Sequence, residues 1–135
     1  RPDAKWSNGA PVTAQDFVYS ISRALDPKLN SPVAATYLND IAGAMAVADG
    51  KAQSVSGLKA VDDKTLQITL VEPRAYFLGK LTYPTAYAVA KEEVEKGEKT
   101  EGGAYTIGAK NSVGTGAFAL ETYTPQSVVT LKANA

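Results

Sequence analysis

The sequence predicts an α+β fold, short helices with a small mixed, largely antiparallel sheet, and three stretches carry that prediction. Between Ala14 and about Leu25, Phe17, Ile21 and Ala24 or Leu25 recur at i, i+4 and i+7 or i+8, one apolar helical face. From Gly57 the period changes, and Leu58 and Ala60, then Leu66, Ile68 and Leu70, alternate with polar residues as in a half-buried antiparallel pair. The third stretch, Ala117 to Tyr123 and Val128 to Lys132, reads as a hairpin around Pro125-Gln126.

The first helix has a well-defined entry. Ser7-Asn8-Gly9 supplies a reversal after Trp6, and Pro11 holds the residue before it out of the helical region. Thr13 is the N-cap, Asp16 stands at N3 where its side chain reaches back, and Val12 and Phe17 occupy hydrophobic-staple positions. Loss of that cap is expected to cost about 1 kcal/mol. Asp26-Pro27 ends the helix. Ser31-Pro32 has the N-cap then N1 pattern, which predicts a short helix to about Leu38. Asn39 or Asp40 is expected to cap a third helix through Met45 and Val47, closed by a left-handed Gly50, with Met45 as core filler.

Strands are expected near 57–61 and 65–71, joined at Asp62-Asp63. Two adjacent aspartates suggest an acid and base pair, but a tight turn favours aspartate for backbone reasons, and that reading is preferred. Glu72-Pro73 ends the second strand, and Tyr76, Phe77, Leu78 and Leu81 predict a short helix packed on the sheet. After Tyr83-Pro84, Ala86 to Ala90 reads as a short strand and Lys91 to about Lys96 as a charged, solvent-facing helix with a Glu92–Lys96 pair. Gly97 to Asn111, glycine-rich and poor in apolar residues, is the expected mobile loop or hinge. Gly114-Thr115-Gly116 lacks the lysine and the following helix of a phosphate-binding loop.

Composition narrows the function classes. A chain of 135 residues suits one domain, and domains of about this size bury roughly 68–70% of their unfolded surface. Fourteen basic residues balance fourteen acidic ones, which argues against nucleic acid or a polybasic membrane surface. Without cysteine or histidine there is no thiol nucleophile, no Ser-His-Asp arrangement and no common metal ligand beyond carboxylates, so neither enzyme activity, cofactor nor metal is expected. Seven tyrosines offer rigid contact area with a hydrogen-bonding tip, better suited to recognition than to catalysis. No export signal opens the chain, Arg1-Pro2-Asp3 reads like the end of an element already under way, and Lys132 to Ala135 follow straight after an apolar run, so a piece of a longer protein is expected.

The segment KWSNGAPVTAQDFVYSISRALDP (residues 5–27) resembles the signature region of the extracellular solute-binding proteins of family 5, the peptide-binding subunits of ABC importers. Asn30-Ser31-Pro32 with Tyr37-Leu38, residues 57–66 (GLKAVDDKTL), Glu72-Pro73 with Tyr76-Phe77, Val89-Ala90-Lys91, and Gly114-Thr115-Gly116-Ala117-Phe118 follow in the family's order. The resemblance implies a part of a two-lobed periplasmic-binding-protein type II (cluster C) architecture. Residues 1–111 would be mainly the extra domain of the peptide-binding branch, and 112–135 a return hairpin belonging to the adjacent lobe.

What the resemblance implies for function is capture of oligopeptides outside the cytoplasm, in the periplasm or on a cell-surface lipoprotein, and delivery to an ABC transporter permease. No cofactor, metal or nucleic acid enters, and the remaining lobes of the parent protein are partners. Ligand contacts carry over to Val33, the residue after Ser-Pro where the family has an aromatic, and to Tyr83, before the proline that follows the Phe-containing helix. Val33 lacks a tyrosine's hydroxyl, and Tyr37, on the same short helix, is the expected substitute. Three alternatives stay open: a relative selecting nickel chelates, oligosaccharides or another solute, a ligand-sensing module of a regulator, and an enzyme using Asp or Glu pairs. Half a cleft cannot bury a ligand, so the piece alone is expected to bind free peptide weakly.

Overall fold

A computed structural model describes residues 1–100 and 112–134. They fall into two compact units, Thr13–Ala88 on the one hand and Arg1–Val12 with Val89–Ala135 on the other.

In the first unit, helix α1 spans Ala14–Leu25 and begins with a full capping box. Asp16 N–H donates to Thr13 Oγ1 at 3.4 Å and Thr13 N–H to Asp16 Oδ2 at 2.8 Å, so two backbone donors at the helix entry are satisfied reciprocally. The buried face carries Ala14, Ile21 and Leu25 together with two serines. Both serines are bonded: Ser20 Oγ donates to Asp16 O at 2.6 Å and Ser22 Oγ accepts from Val55 N–H at 3.3 Å. Asp26 caps the end of α1, and its carboxylate then opens a 3-10 turn at Pro27–Leu29.

Helix α2 covers Ala34–Leu38 and starts later than Ser31-Pro32 suggests. Ser31 Oγ does accept from Ala34 N–H at 3.2 Å, but Val33, at φ −128° and ψ −14°, lies outside the helical region. The Ser-Pro pair is therefore a capped turn ahead of the helix. Helix α3, Ala44–Ala48, departs further, because neither Asn39 nor Asp40 caps it; Gly43 does, in the left-handed conformation. Its other end is as expected. Gly50, at φ +70°, donates to Val47 O, and Lys51 N–H reaches Ala46 O at 2.8 Å, the Schellman arrangement. Met45 is 45% exposed, so it is not core filler: it stands on the outward face of a five-residue helix whose Ala44 and Val47 turn inward.

Strands β1 (Leu58–Asp62) and β2 (Thr65–Ile68) pair antiparallel with Leu58 opposite Ile68 and Ala60 opposite Leu66. A third segment lies along the end of β2: Ile41 bridges Leu70, Ala42 N–H donates to Thr69 O and Val71 N–H to Asp40 O. Helix α4, Phe77–Lys80, buries Phe77 alone, and Tyr76 and Leu78 face outward. The strand expected over Ala86 to Ala90 does not form. Pro84–Ala86 is a 3-10 turn, and Tyr87 N–H is spent on Pro84 O while its hydroxyl donates to Thr82 O at 3.0 Å. Ile21 and Leu25 of α1, Leu38 of α2, Val47 of α3, Leu58 of β1 and Phe77 of α4 meet in one apolar core.

In the second unit, Trp6 N–H donates to Ala10 O and Gly9, at φ +87°, closes the turn back to Trp6 O. Ser7 is bonded twice to Gly114, N–H to O at 2.8 Å and Oγ from N–H at 3.3 Å. Helix α5 runs over Lys91–Thr100, longer than the charged run to Lys96. Its faces are unequal: Val94 is buried, while ion pairs join Lys91 to Glu95 and Glu93 to Lys96 on the outside. The glycine-rich stretch expected as a loop thus begins inside α5, and its remainder, 101–111, lies outside the described residues. Strands β3 (Phe118–Thr124) and β4 (Val128–Ala133) form the second hairpin, with Leu120 opposite Leu131 and Gln126 at φ +60° in the reversal. A strand, not a helix, follows Gly114-Thr115-Gly116. Among the described residues the sheet component is therefore two antiparallel hairpins.

Candidate functional site

Tyr37 lies on the last turn of α2, and Tyr83 immediately precedes the Pro84 turn. Their rings stack face to face, with centroids 3.7 Å apart and planes inclined by 6°. Tyr83 remains 36% exposed and Tyr37 is half-buried, so the pair forms part of the surface. Stacking adds about 0.5–1.5 kcal/mol beyond the area buried. Tyr37 also packs against the apolar core, so Tyr83 is the more open ring of the pair, and the phenol oxygens can both donate and accept.

Val33 stands one helical turn before Tyr37. Its carbonyl accepts from the N–H groups of Thr36 at 3.1 Å and Tyr37 at 3.3 Å, and its side chain is half-buried. The three residues singled out from the sequence are thus related differently: Tyr37 and Tyr83 through their rings, Val33 and Tyr37 through the backbone of one turn.

Beside them lies a charge cluster that no local pattern announced. The Asp40 carboxylate, 10% exposed, accepts from Lys80 Nζ at 2.6 Å through Oδ2 and lies 3.6 Å from Arg74 Nε through Oδ1. Arg74 is also paired with Glu72, so two cations face two carboxylates. Lys80 Nζ further donates to Asn39 Oδ1 at 2.9 Å and Thr36 O at 3.2 Å. Tyr76 sits beneath both cations, with Lys80 Nζ 5.4 Å and Arg74 Cζ 5.9 Å from its ring centre. The one sequence signal was Asp40 itself, which the helix-cap reading claimed; a carboxylate recruited by cations some forty positions later gives no periodic trace.

Asp62 and Asp63 behave as turn residues. Asp62 Oδ1 accepts from Lys64 N–H at 2.8 Å, and Asp63 O accepts from Ala14 N–H. Hydrogen bonds from the Lys64 backbone first, then from Thr65, hold the exposed Asp62 carboxyl below its ordinary value. A carboxylate stabilised as the anion is a poor proton donor at neutral pH, which suits a turn and not general acid chemistry.

Comparison with known proteins supplies the context. The family model described as bacterial extracellular solute-binding proteins, family 5 Middle, matches residues 1–135. The periplasmic oligopeptide-binding protein OppA of Escherichia coli K12 is 48% identical over 79% of this chain and 22% of its own length. Among solved structures, the E. coli murein tripeptide-binding protein MppA superposes with a TM-score of 0.84 at 38% identity, covering 99% of this chain and 26% of that one. The Haemophilus influenzae OppA complex with the peptide RPPGFSPFR gives a TM-score of 0.85 at 32% identity, with the same coverage. The chain therefore spans about a quarter of the length of these relatives.

Proposed function

Because the chain belongs to the bacterial extracellular solute-binding proteins of family 5, we propose that it supplies one wall of a peptide site in an extracytoplasmic protein that hands oligopeptides to an ABC transporter permease. The observation that carries this reading is the partly exposed Tyr37–Tyr83 stack. It presents flat apolar surface with hydrogen-bonding tips, which suits a peptide held through its backbone and by loose side-chain packing. Val33 lines the same wall one turn away; without a hydroxyl it contributes apolar contact, and Tyr37 takes over the polar role.

Residues 1–111 then form mainly the extra domain of the binding protein, centred on Thr13–Ala88, and 112–135 the return segment into the adjacent lobe, with Arg1–Val12 grouped with that segment in one compact unit. The β3–β4 hairpin supports this, for Phe118 and Leu131 are 65% and 55% exposed and await an apolar neighbour. Capture works by closure of the lobes, with ligand contacts made only in the closed form shifting the population toward it. The relatives named above are binding proteins, and the chemistry expected of this chain is likewise binding without turnover. The decisive experiment is mass spectrometry of the ligand retained by the full-length protein. Peptides of mixed sequence are expected; a single non-peptide solute, or a chemically altered ligand, would overturn the reading.

A further inference from the structure

We propose that Lys80 is a positioning residue that sets the spacing of the Tyr37–Tyr83 wall, an inference that rests on reading those tyrosines as ligand-facing. Lys80 touches the supports of both rings. Its backbone carbonyl accepts from Tyr83 N–H at 3.1 Å, while its ammonium donates to Thr36 O, the carbonyl of the residue next to Tyr37, at 3.2 Å. The same ammonium takes Asn39 Oδ1 at 2.9 Å and Asp40 Oδ2 at 2.6 Å, so all three of its donors end on the C-terminal turn of α2 and the residues just after it. One side chain thereby fixes the segment that carries Tyr83 against the helix that carries Tyr37.

An ordinary ion pair would need only Asp40, and Asp40 has a second cation in Arg74. What Lys80 alone adds is the grip on Thr36 and Asn39. Removing its charge does not strand Asp40 without a counter-ion, and the lysine side chain is 22% exposed, so an unbranched apolar replacement of similar length is tolerable. A ring pair in close stacked contact is sensitive to small displacements of either backbone, since dispersion and quadrupole terms fall steeply with distance. Slackening the clamp changes the width and tilt of the wall before it unfolds the unit.

The test uses the full-length protein labelled with meta-fluorotyrosine, the Tyr37 and Tyr83 fluorine NMR signals being assigned through Tyr37→Phe and Tyr83→Phe. In Lys80→Met both signals are expected to move together toward the shift of an isolated tyrosine, and in Lys80→Arg to stay near their original positions. Lys80→Gln, which keeps a donor for Thr36 O, should give an intermediate shift and serves if Lys80→Met fails to fold. A fall in Tm with the Tyr37 and Tyr83 signals unmoved, or movement of Tyr76 alone, overturns the positioning role. Calorimetry with trialanine should show affinity about tenfold weaker in Lys80→Met, and no further loss when that change is made on a Tyr83→Ala background. Failure of the unmutated protein to bind trialanine counts against the proposed function only, because the fluorine signals decide the role of Lys80 without any ligand.

Discussion

Asp40 Oδ2 lies 2.6 Å from Lys80 Nζ, with the carboxylate 10% exposed, and this contact joins the end of α2 to α4. Its partial burial makes it worth more than a surface pair, while the two cations around it offset the cost of desolvation. Asp40→Asn keeps the shape and one acceptor but leaves Lys80 and Arg74 facing a neutral group. The expected loss is about 1–2 kcal/mol, a charge-assisted bond discounted for solvent access. Urea unfolding of the full-length protein checks it, and an unchanged midpoint would show that Glu72 and water replace Asp40 fully.

The tyrosine stack separates ring from hydroxyl. Tyr83→Ala is expected to weaken peptide binding roughly 3- to 10-fold, because it removes exposed ring surface that a peptide would cover. Tyr83→Phe retains the stack and should stay close to the original value. Calorimetry with the peptides recovered from the protein distinguishes the two; equal losses would mean that the hydroxyl, and not the ring, makes the contact.

Gly57 is held where three backbone segments meet. Its N–H donates to Ala42 O at 2.8 Å and its carbonyl accepts from Thr69 N–H at 2.7 Å. A Cβ there would stand 2.6 Å from Thr69 O and 2.7 Å from Ala42 O, both backbone atoms without freedom to yield. Gly57→Ala is therefore expected to cost about 2–3 kcal/mol through overpacking. Thermal unfolding measures it, with Gly79→Ala, inside α4 and with nothing within 4 Å, as the control expected not to destabilise.

Asp62 gives a pH signature. Its carboxyl is held below its ordinary value by donors in the β1–β2 turn, so its contribution is fully present above the unfolded pKa and is lost as pH falls through the lower folded one. The Tm difference between the protein and its Asp62→Ala variant should be largest at neutral pH and shrink on acidification below the carboxylate range. A difference independent of pH would assign the effect to turn geometry alone. The group is solvent-exposed, so the difference is expected to be small.

Local rules wrote much of this fold plainly. Thr13 and Asp16 announced the start of α1, Asp26-Pro27 its end, and the alternations around Asp62-Asp63 and Pro125-Gln126 gave both hairpins. The misreadings share a cause, which is competition from distant groups. Asp40 has cap chemistry, yet Lys80 and Arg74 claim its carboxylate, and Gly43 enters α3 in its place. Ala86 to Ala90 has strand-like composition, but Pro84 and the Tyr87 hydroxyl commit its start to a turn. At the candidate site, Val33, Tyr37 and Tyr83 are singled out through the family resemblance and not by local rules, and the stacking of Tyr37 on Tyr83 and the grip of Lys80 depend on packing between segments that share no sequence period.

The exposed β3–β4 hairpin has a practical consequence for solubility. Val128, Val129 and Leu131 crowd one strand with Phe118 and Tyr123 on the other, and Glu121 and Lys132 are the charged residues along both. Apolar, β-branched strands with so few charged gatekeepers are ready templates for strand addition by another chain. This polypeptide, handled by itself, is therefore at risk of clumping edge to edge through the hairpin, and Val129→Lys is the simplest safeguard.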